Sequence, residues 1–543
     1  MKRKAVAAVL TAVMVASMFT GCGSDNGSSS AKSTSAASAA NDTVDEDGKV
    51  NGIMYQEGLP LVDEGDYTFS IFCDDSSESG EFIMLDEFKK QTNVDVDLKI
   101  YPYETATERL NLDLNSGDYA DVIGGWTLSD NAILTYGVNQ GVFIPLEDYF
   151  EKYCPNISAI LDLPGVREKM TAPDGHIYTI PYVCGDTTVG YSPYINTKWL
   201  ENVGMSMPTT TDEFEAVLKA FKEQDANGNG DASDEIPFST DPNNKHIEAM
   251  AGYFGLPMNK LGIAIQNEKV VYGGVSDTYR EFLSWFHKLY ADGLVDVELY
   301  TQDSSTWEGK GNQDLYGVSI AYGSNEFTGI PAAEERGDFD SMPVLNTDKD
   351  GIWLRDTEGF SVYRTQAVIT NKAEHPEIIC RWFDNAFALE NGIGCNRGPV
   401  GVIVNKEDDG YHAIDTTTLS EEDQEKYSWG NLWPQSLPKY LPVDFEFVEE
   451  HPMYDEKKAT EEAYEANLTK EIIPSYWIDL DKIDTFSDTN TAIKDFFEQQ
   501  QAQFVCGELD IDNDADWQAY VDGMYSLGLE DWVATQGIEE IAK

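Results

Sequence analysis

Basic residues are scarce in this chain. Lys and Arg number 37 against 97 Asp and Glu, a formal net charge of −60. So strong a negative field excludes nucleic acid and anionic membrane surfaces as partners for the body of the protein. Histidine is rarer still: His176, His246, His287, His375, His412 and His451 are the full set, and no two stand four residues apart, so there is no HExxH zinc site. Beyond Cys22, the cysteines at 73, 154, 184, 380, 395 and 506 never form a CxxC pair. That excludes a zinc knot and a thioredoxin-type motif. They read as buried free thiols, because a chain this long needs no disulfide staples. GxSxG and GxxxxGK[ST] are both missing, and with them the nucleophile elbow and the phosphate cradle. Past the N-terminus no apolar run reaches membrane-spanning length, and no internal repeat is found.

Core material is plentiful, with 41% hydrophobic and 12% aromatic residues. Disorder is thereby excluded, and 543 residues exceed what one hydrophobic core holds, so at least two domains are expected. The chain opens with Lys2, Arg3 and Lys4, then an uncharged stretch from Ala5 to Phe19 of signal-peptide length. Met18-Phe19-Thr20-Gly21-Cys22 resembles the lipobox of bacterial lipoproteins, with Phe19 where that family has Leu. The resemblance implies a signal peptide over 1–21 and lipidation of Cys22, hence an anchor on the outer face of the cytoplasmic membrane as the sole membrane attachment. Residues 22–60, mostly Ser, Ala, Asn, Asp and Gly at first, are expected to form a flexible linker with a reach of about 30–36 Å.

Periodicity sets the fold class. Tyr67–Phe72 alternates as a strand, Glu81–Gln91 carries Phe82, Leu85 and Phe88 on one helical face, and Val94–Ile100 has strict period two. A helical segment over Thr105–Asn115 and a short strand at Ala120–Ile123 follow. This alternation predicts an α/β architecture of βαβ units with a parallel sheet, whose ligands bind beyond the strand ends. Those ends are Cys73-Asp74-Asp75, Tyr101-Pro102-Tyr103 and Gly124-Gly125-Trp126.

Further on, "DGHIYTIPY" and "YSPYINTKWLENVGMSMPTTTDEFEAVLKAFKEQDANGNGDASDEIPFS" resemble the extracellular family 1 solute-binding proteins of bacterial carbohydrate ABC transporters, in their large lipid-anchored branch. The resemblance implies two α/β lobes with a sugar held between them. Lobe 1 is expected over 61–183 with about 312–368, and lobe 2 over 184–311 with about 369–543. The strand Val318–Tyr322 thus falls in the first lobe. The implied partners are a carbohydrate and the permease subunits of an importer, with the protein itself a monomer.

Two sites can be proposed on residues. Thr210 and Glu213 make a capping box for a helix with Phe214, Val217, Leu218 and Phe221 on one face. It runs into Asp225-Ala226-Asn227-Gly228-Asn229-Gly230-Asp231-Ala232-Ser233-Asp234-Glu235. Oxygen donors at positions 1, 3 and 5 with Gly at 6 match the first half of a calcium loop. The twelfth position is Ile236 instead of Glu, which leaves Asp234 and Glu235 to close the site and Asp231 to offer its backbone oxygen. A structural Ca²⁺ is expected on Asp225, Asn227, Asn229, Asp231, Asp234 and Glu235. For the sugar, Trp126, Tyr182, Tyr322, Trp429 and Trp433 are assigned to stacking on C–H faces. Asp186, Asn325, Glu326 and Arg397 are assigned to hydroxyl groups. The alternative is a lipid-anchored glycan-degrading enzyme, which needs two carboxylates across a glycosidic bond. A non-enzymatic receptor is the favoured reading, because catalytic motifs are absent and an anchor suits a membrane partner.

Overall fold

The computed structural model describes residues 42–542, except 76–80, 242–245, 330–336, 443, 444, 446, 449–451 and 539. The chain divides into a unit of residues 1–36 and a compact unit of residues 37–543. The expected signal peptide and the expected lipidation site Cys22 lie outside the described residues.

Two hydrophobic cores organise the compact unit. The first lies around a five-stranded sheet ordered Val94–Tyr101, Tyr67–Asp74, Val122–Gly124, Phe360–Ile369, Thr179–Gly185. Its first three strands are parallel, as their helical connections require, and Phe360–Ile369 enters antiparallel to both of its neighbours. The helices expected near 81–91 and 105–115 are Ile83–Thr92 and Tyr103–Ser116. The second lobe holds a four-stranded sheet ordered Phe339–Ser341, Ser192–Asn196, Tyr316–Ala321, Ile236–Thr240. Helix Thr211–Glu223 packs against it, burying Phe214, Val217, Leu218 and Phe221 as the spacing predicts. Thr210 caps this helix by accepting from Glu213 N, while Glu213 reaches back to Thr209.

The lobe boundaries differ from those expected. Tyr316–Ala321 pairs with Ser192–Asn196 and Ile236–Thr240, so this strand belongs to the second lobe. Conversely, Ile378, Trp382 and Phe383 of helix Pro376–Ala386 are buried in the first core with Trp433 and Leu437. Neither placement follows from local pattern, because both are set by long-range burial. The stretch expected to be linker up to residue 60 also contains regular structure. Lys49–Val50 and Met54–Tyr55 form a hairpin whose Val50 and Met54 are buried in the first core, and Arg381 donates to the Tyr55 and Gly58 carbonyls.

The chain crosses between lobes at Gly185–Tyr191 and again before Phe360. It crosses once more before helix Pro452–Tyr464, whose Tyr464 is in the second core. Ile478 and Ile483 then pack with Leu134 beside the first lobe, and helix Ile483–Cys506 carries Ile493, Phe497 and Phe504 into the second core. There Trp517 and Tyr520 join it, the second-lobe packing expected of the C-terminal helices.

Candidate functional site

At the ends of the first lobe's strands stands an aromatic cluster. Tyr182 and Tyr363 are directly opposite in the ladder between Thr179–Gly185 and Phe360–Ile369, and their rings stack at 5.4 Å. Trp126 meets Tyr363 edge-on at 5.3 Å and Tyr182 at 6.5 Å, yet stays 47% exposed. It follows Gly124 and Gly125 for steric reasons. A Cβ at Gly124 would lie 2.3 Å from Leu437, and Gly125 has φ of +132°. On the second lobe, Tyr191 stacks on His246 at 4.0 Å and meets Tyr322 edge-on at 6.1 Å. Burial raises the phenol pKa values of Tyr191 and Tyr322.

The crossing segment between them is tightly bonded. Asp186 accepts from the Tyr322 hydroxyl at 3.0 Å and from Thr187 N at 2.8 Å with one oxygen, and from the Ser361 hydroxyl with the other. The Tyr322 backbone N–H donates to Glu326 Oε2 at 2.9 Å. Lys457 lies over the Tyr322 ring, 3.5 Å from its centroid, and donates to the Gly190 carbonyl at 3.2 Å. Burial pushes the Lys457 amine down to about 8, against the opposing pull of Glu326, Glu456, Asp186 and Asp356.

A second patch on the first lobe centres on Trp429, which is 53% exposed. Lys439 Nζ sits 5.4 Å from the Trp429 ring centroid and donates to Gln435 Oε1. Burial pushes this lysine also down to about 8, opposed by Cys395, Cys184 and Asp75. Arg397 ends helix Leu389–Arg397, contributes to the field at Lys439 and lies 5.9 Å from the Phe447 ring centroid.

The structure therefore groups Trp126 with Tyr182, Asp186 with Tyr322 and Glu326, and Trp429 with Lys439, while Arg397 lies by Phe447. Asn325 opens the short helix Asn325–Thr328 beside Glu326. Trp433 does not join them. It is fully buried, stacked on Trp382 at 5.8 Å and tilted against Phe88 at 5.2 Å, so it is a core residue. Its apolar surroundings and its N–H bond to the Leu437 carbonyl satisfy it without a ligand. Sequence reasoning missed Tyr363, Tyr191, Lys439 and Lys457. A strand pattern at Phe360–Ile369 could have revealed the first, while nothing local distinguishes two buried lysines from solvated ones.

The loop after Glu223 carries the expected oxygen donors. Gly230 N donates to Asp225 Oδ2 at 2.9 Å, and Asn229 and Asp231 backbone N–H groups are held by Asn227 and Asn229 side-chain oxygens. Asp234 accepts from both asparagine amides, Ala226 N donates to Glu235 Oε1, and Asp231 bonds Ser233. Asp225 Oδ1 and Glu235 Oε2 are buried without hydrogen-bond partners. Burial raises the Glu235 pKa, and Asp234 adds to it. Two orphaned buried carboxylate oxygens among all-oxygen donors are what a hard divalent cation satisfies.

Two α/β lobes joined by crossing segments, with aromatic rings gathered where they meet, define a bilobed binding protein. The chain belongs to the bacterial extracellular solute-binding protein family, whose model matches residues 76–392. It is 34% identical over 335 residues to the fructooligosaccharide ABC transporter substrate-binding protein FusA of Streptococcus pneumoniae, covering 60% of this chain and 61% of that one. The alignment thus spans about three fifths of that relative's length. The solved structure of FusA with kestose superposes with TM-score 0.76 at 27% identity, covering 86% of this chain and 98% of the other. A FusA EF-hand mutant with fructo-nystose gives 0.73 at 27% identity, with the same coverage. No helix among the described residues is long and apolar enough to cross a membrane.

Proposed function

We propose that this chain is a non-enzymatic receptor that captures an oligosaccharide between its lobes and delivers it to the permease subunits of an ABC importer. The observation that carries this reading is the gathering of Trp126, Tyr182 and Tyr363 at the first lobe's strand ends, linked through Ser361 and Asp186 to Tyr322, which meets Tyr191, on the second. Such rings offer stacking faces for sugar C–H surfaces, and the polar groups around them offer partners to hydroxyls. The FusA relationship supports kestose-type fructooligosaccharides as the first ligands to try. Tyr182, Asp186, Tyr322, Asn325, Glu326, Arg397 and Trp429 complete the proposed lining. Cys22, lipidated after loss of residues 1–21, would hold the monomer at the outer face of the membrane.

A structural Ca²⁺ belongs to the same proposal. Asp225, Asn227, Asn229, Asp234 and Glu235 would hold it by side-chain oxygens and Asp231 by its backbone oxygen, neutralising the buried carboxylates. The relationship to a protein with a named EF-hand supports it.

The test is calorimetry with kestose and nystose, followed by chromatography of the sugar. Binding with intact recovery supports the receptor. Cleavage would establish the glycan-degrading alternative, and absence of binding would remove fructooligosaccharides as the ligand class.

A further inference from the structure

Among the described residues, Trp126 and Trp429 are the two exposed tryptophans, and each is tied to the same strand end by one of two consecutive carboxylates. Asp74 accepts from the Trp126 backbone N–H at 3.0 Å with one oxygen and from Thr127 N–H at 2.6 Å with the other. Gly125 lets the backbone wrap this carboxylate, since a Cβ there would stand 2.2 Å from Asp74 Oδ1. Asp75 accepts from Gln435 N–H at 2.7 Å. The Gln435 side-chain amide then donates to the Trp429 carbonyl at 2.9 Å, and its oxygen receives Lys439, which lies beside the Trp429 ring. Ser436 donates to the Asp74 carbonyl and also contacts the Cys73 thiol, fastening this second segment to the strand.

Successive side chains along a strand point to opposite sides, so Asp74 and Asp75 reach two different segments. Both are buried at the strand end, Asp74 holding two backbone N–H groups and Asp75 holding one. The two indoles make no ring contact with each other. Trp126 packs on tyrosines and Trp429 beside a lysine. Each therefore offers its own face, and a stacked pyranose or furanose ring occupies one face. Holding a half-exposed indole in place before binding removes the entropy cost of ordering it.

We propose that Asp74 and Asp75 are positioning residues for a two-subsite platform on the first lobe, Asp74 setting Trp126 and Asp75 setting Trp429 through Gln435, for a glycan of at least two rings. The proposal rests on the oligosaccharide reading above and adds which residues set the platform. Calorimetry with kestose should show Asp74→Asn weakening binding about tenfold, as for loss of one stacking face. Asp74→Asn combined with Trp126→Ala should be no weaker than Trp126→Ala alone. Asp75→Asn should be silent in the same way on a Trp429→Ala background, whereas Asp74→Asn and Asp75→Asn together should multiply. Independent, multiplying effects within each Asp–Trp pair would overturn the proposal. Should Asp74→Asn fail to fold, Gly125→Ala displaces the same contact from the other side and should show the same dependence on Trp126. A ligand-free readout separates the two readings. Amide hydrogen exchange should accelerate at residues 125–128 in Asp74→Asn and at 429–436 in Asp75→Asn, and unchanged exchange overturns the positioning role. Accelerated exchange in a protein that never bound kestose supports the positioning and overturns only the ligand assignment.

Discussion

The Tyr322 hydroxyl donates to Asp186 Oδ1 at 3.0 Å, joining the end of a second-lobe strand to the segment that leaves the first lobe. The contact bears on how the lobes are set around a ligand. Asp186 keeps Ser361 and Thr187 without it, so the carboxylate is not orphaned when the hydroxyl is removed. Tyr322→Phe should leave melting nearly unchanged and weaken kestose binding about two- to tenfold, the worth of one hydrogen bond to a charged group or less. Calorimetry beside a thermal melt measures both. An unaltered Kd would mean the bond has no part in binding.

Trp126 and Trp433 should respond oppositely to the same truncation. Trp126→Ala leaves no core cavity and should weaken binding by about 1–2 kcal/mol with the fold intact. Trp433→Ala empties a site between Trp382 and Phe88 and should cost about 3–5 kcal/mol of stability. Thermal melts and binding isotherms on both variants decide whether either has been misplaced.

Chelator should lower the melting temperature and added Ca²⁺ restore it, with Mg²⁺ ineffective because the loop's many oxygen donors suit the larger ion. Asp225→Ala should abolish the response, since Asp225 Oδ1 is one of the two orphaned oxygens. A melt in metal-free buffer that ignores chelator would leave a self-bonded turn.

Asp384 is nearly buried where it accepts from Ile157 N–H at 2.8 Å and from the Asn156 amide. Burial pushes its carboxyl up to about 6, above the unfolded value near 4. The folded state therefore binds this proton more tightly. Stability from the group is complete below about pH 4 and is lost as pH rises through about 6. Asp384→Asn should thus gain on the wild type by roughly 2 kcal/mol between pH 4 and pH 7. Paired unfolding curves at the two pH values measure it, and a difference independent of pH would refute the assignment.

Cys22→Ala should release folded protein from the membrane fraction. Detergent partitioning compares it with the full-length wild type, whose recovery in the aqueous phase would end the lipoprotein reading.

Local chemistry settled a good deal in advance. The period-two run at Val94–Tyr101, the capped amphipathic helix Thr211–Glu223 and the oxygen-rich loop at 225–235 are visible because each is specified by neighbours a few residues apart. The exposed place of Trp126 after its strand was legible too, since a Gly-Gly strand end admits a close backbone turn and little else. Trp433 was not legible. Trp429 and Trp433 sit four residues apart in similar company, and only the packing of Trp382 and Phe88 separates core from surface.

Sequence alone determined that this is a strongly acidic α/β protein of at least two domains without catalytic or redox motifs, because charge, periodicity and motif spacing are properties of neighbouring residues, while the two lobes were implied by family resemblance. Tertiary structure alone decided that Tyr316–Ala321 joins the second sheet, that helix Pro376–Ala386 returns to the first core, and that Tyr363 stands opposite Tyr182. It also decided which lysines are buried, placing Lys439 beside Trp429 and Lys457 over Tyr322. Such pairings join residues far apart in the chain, and their energy comes from burial and ladder bonds that exist only once the lobes have formed.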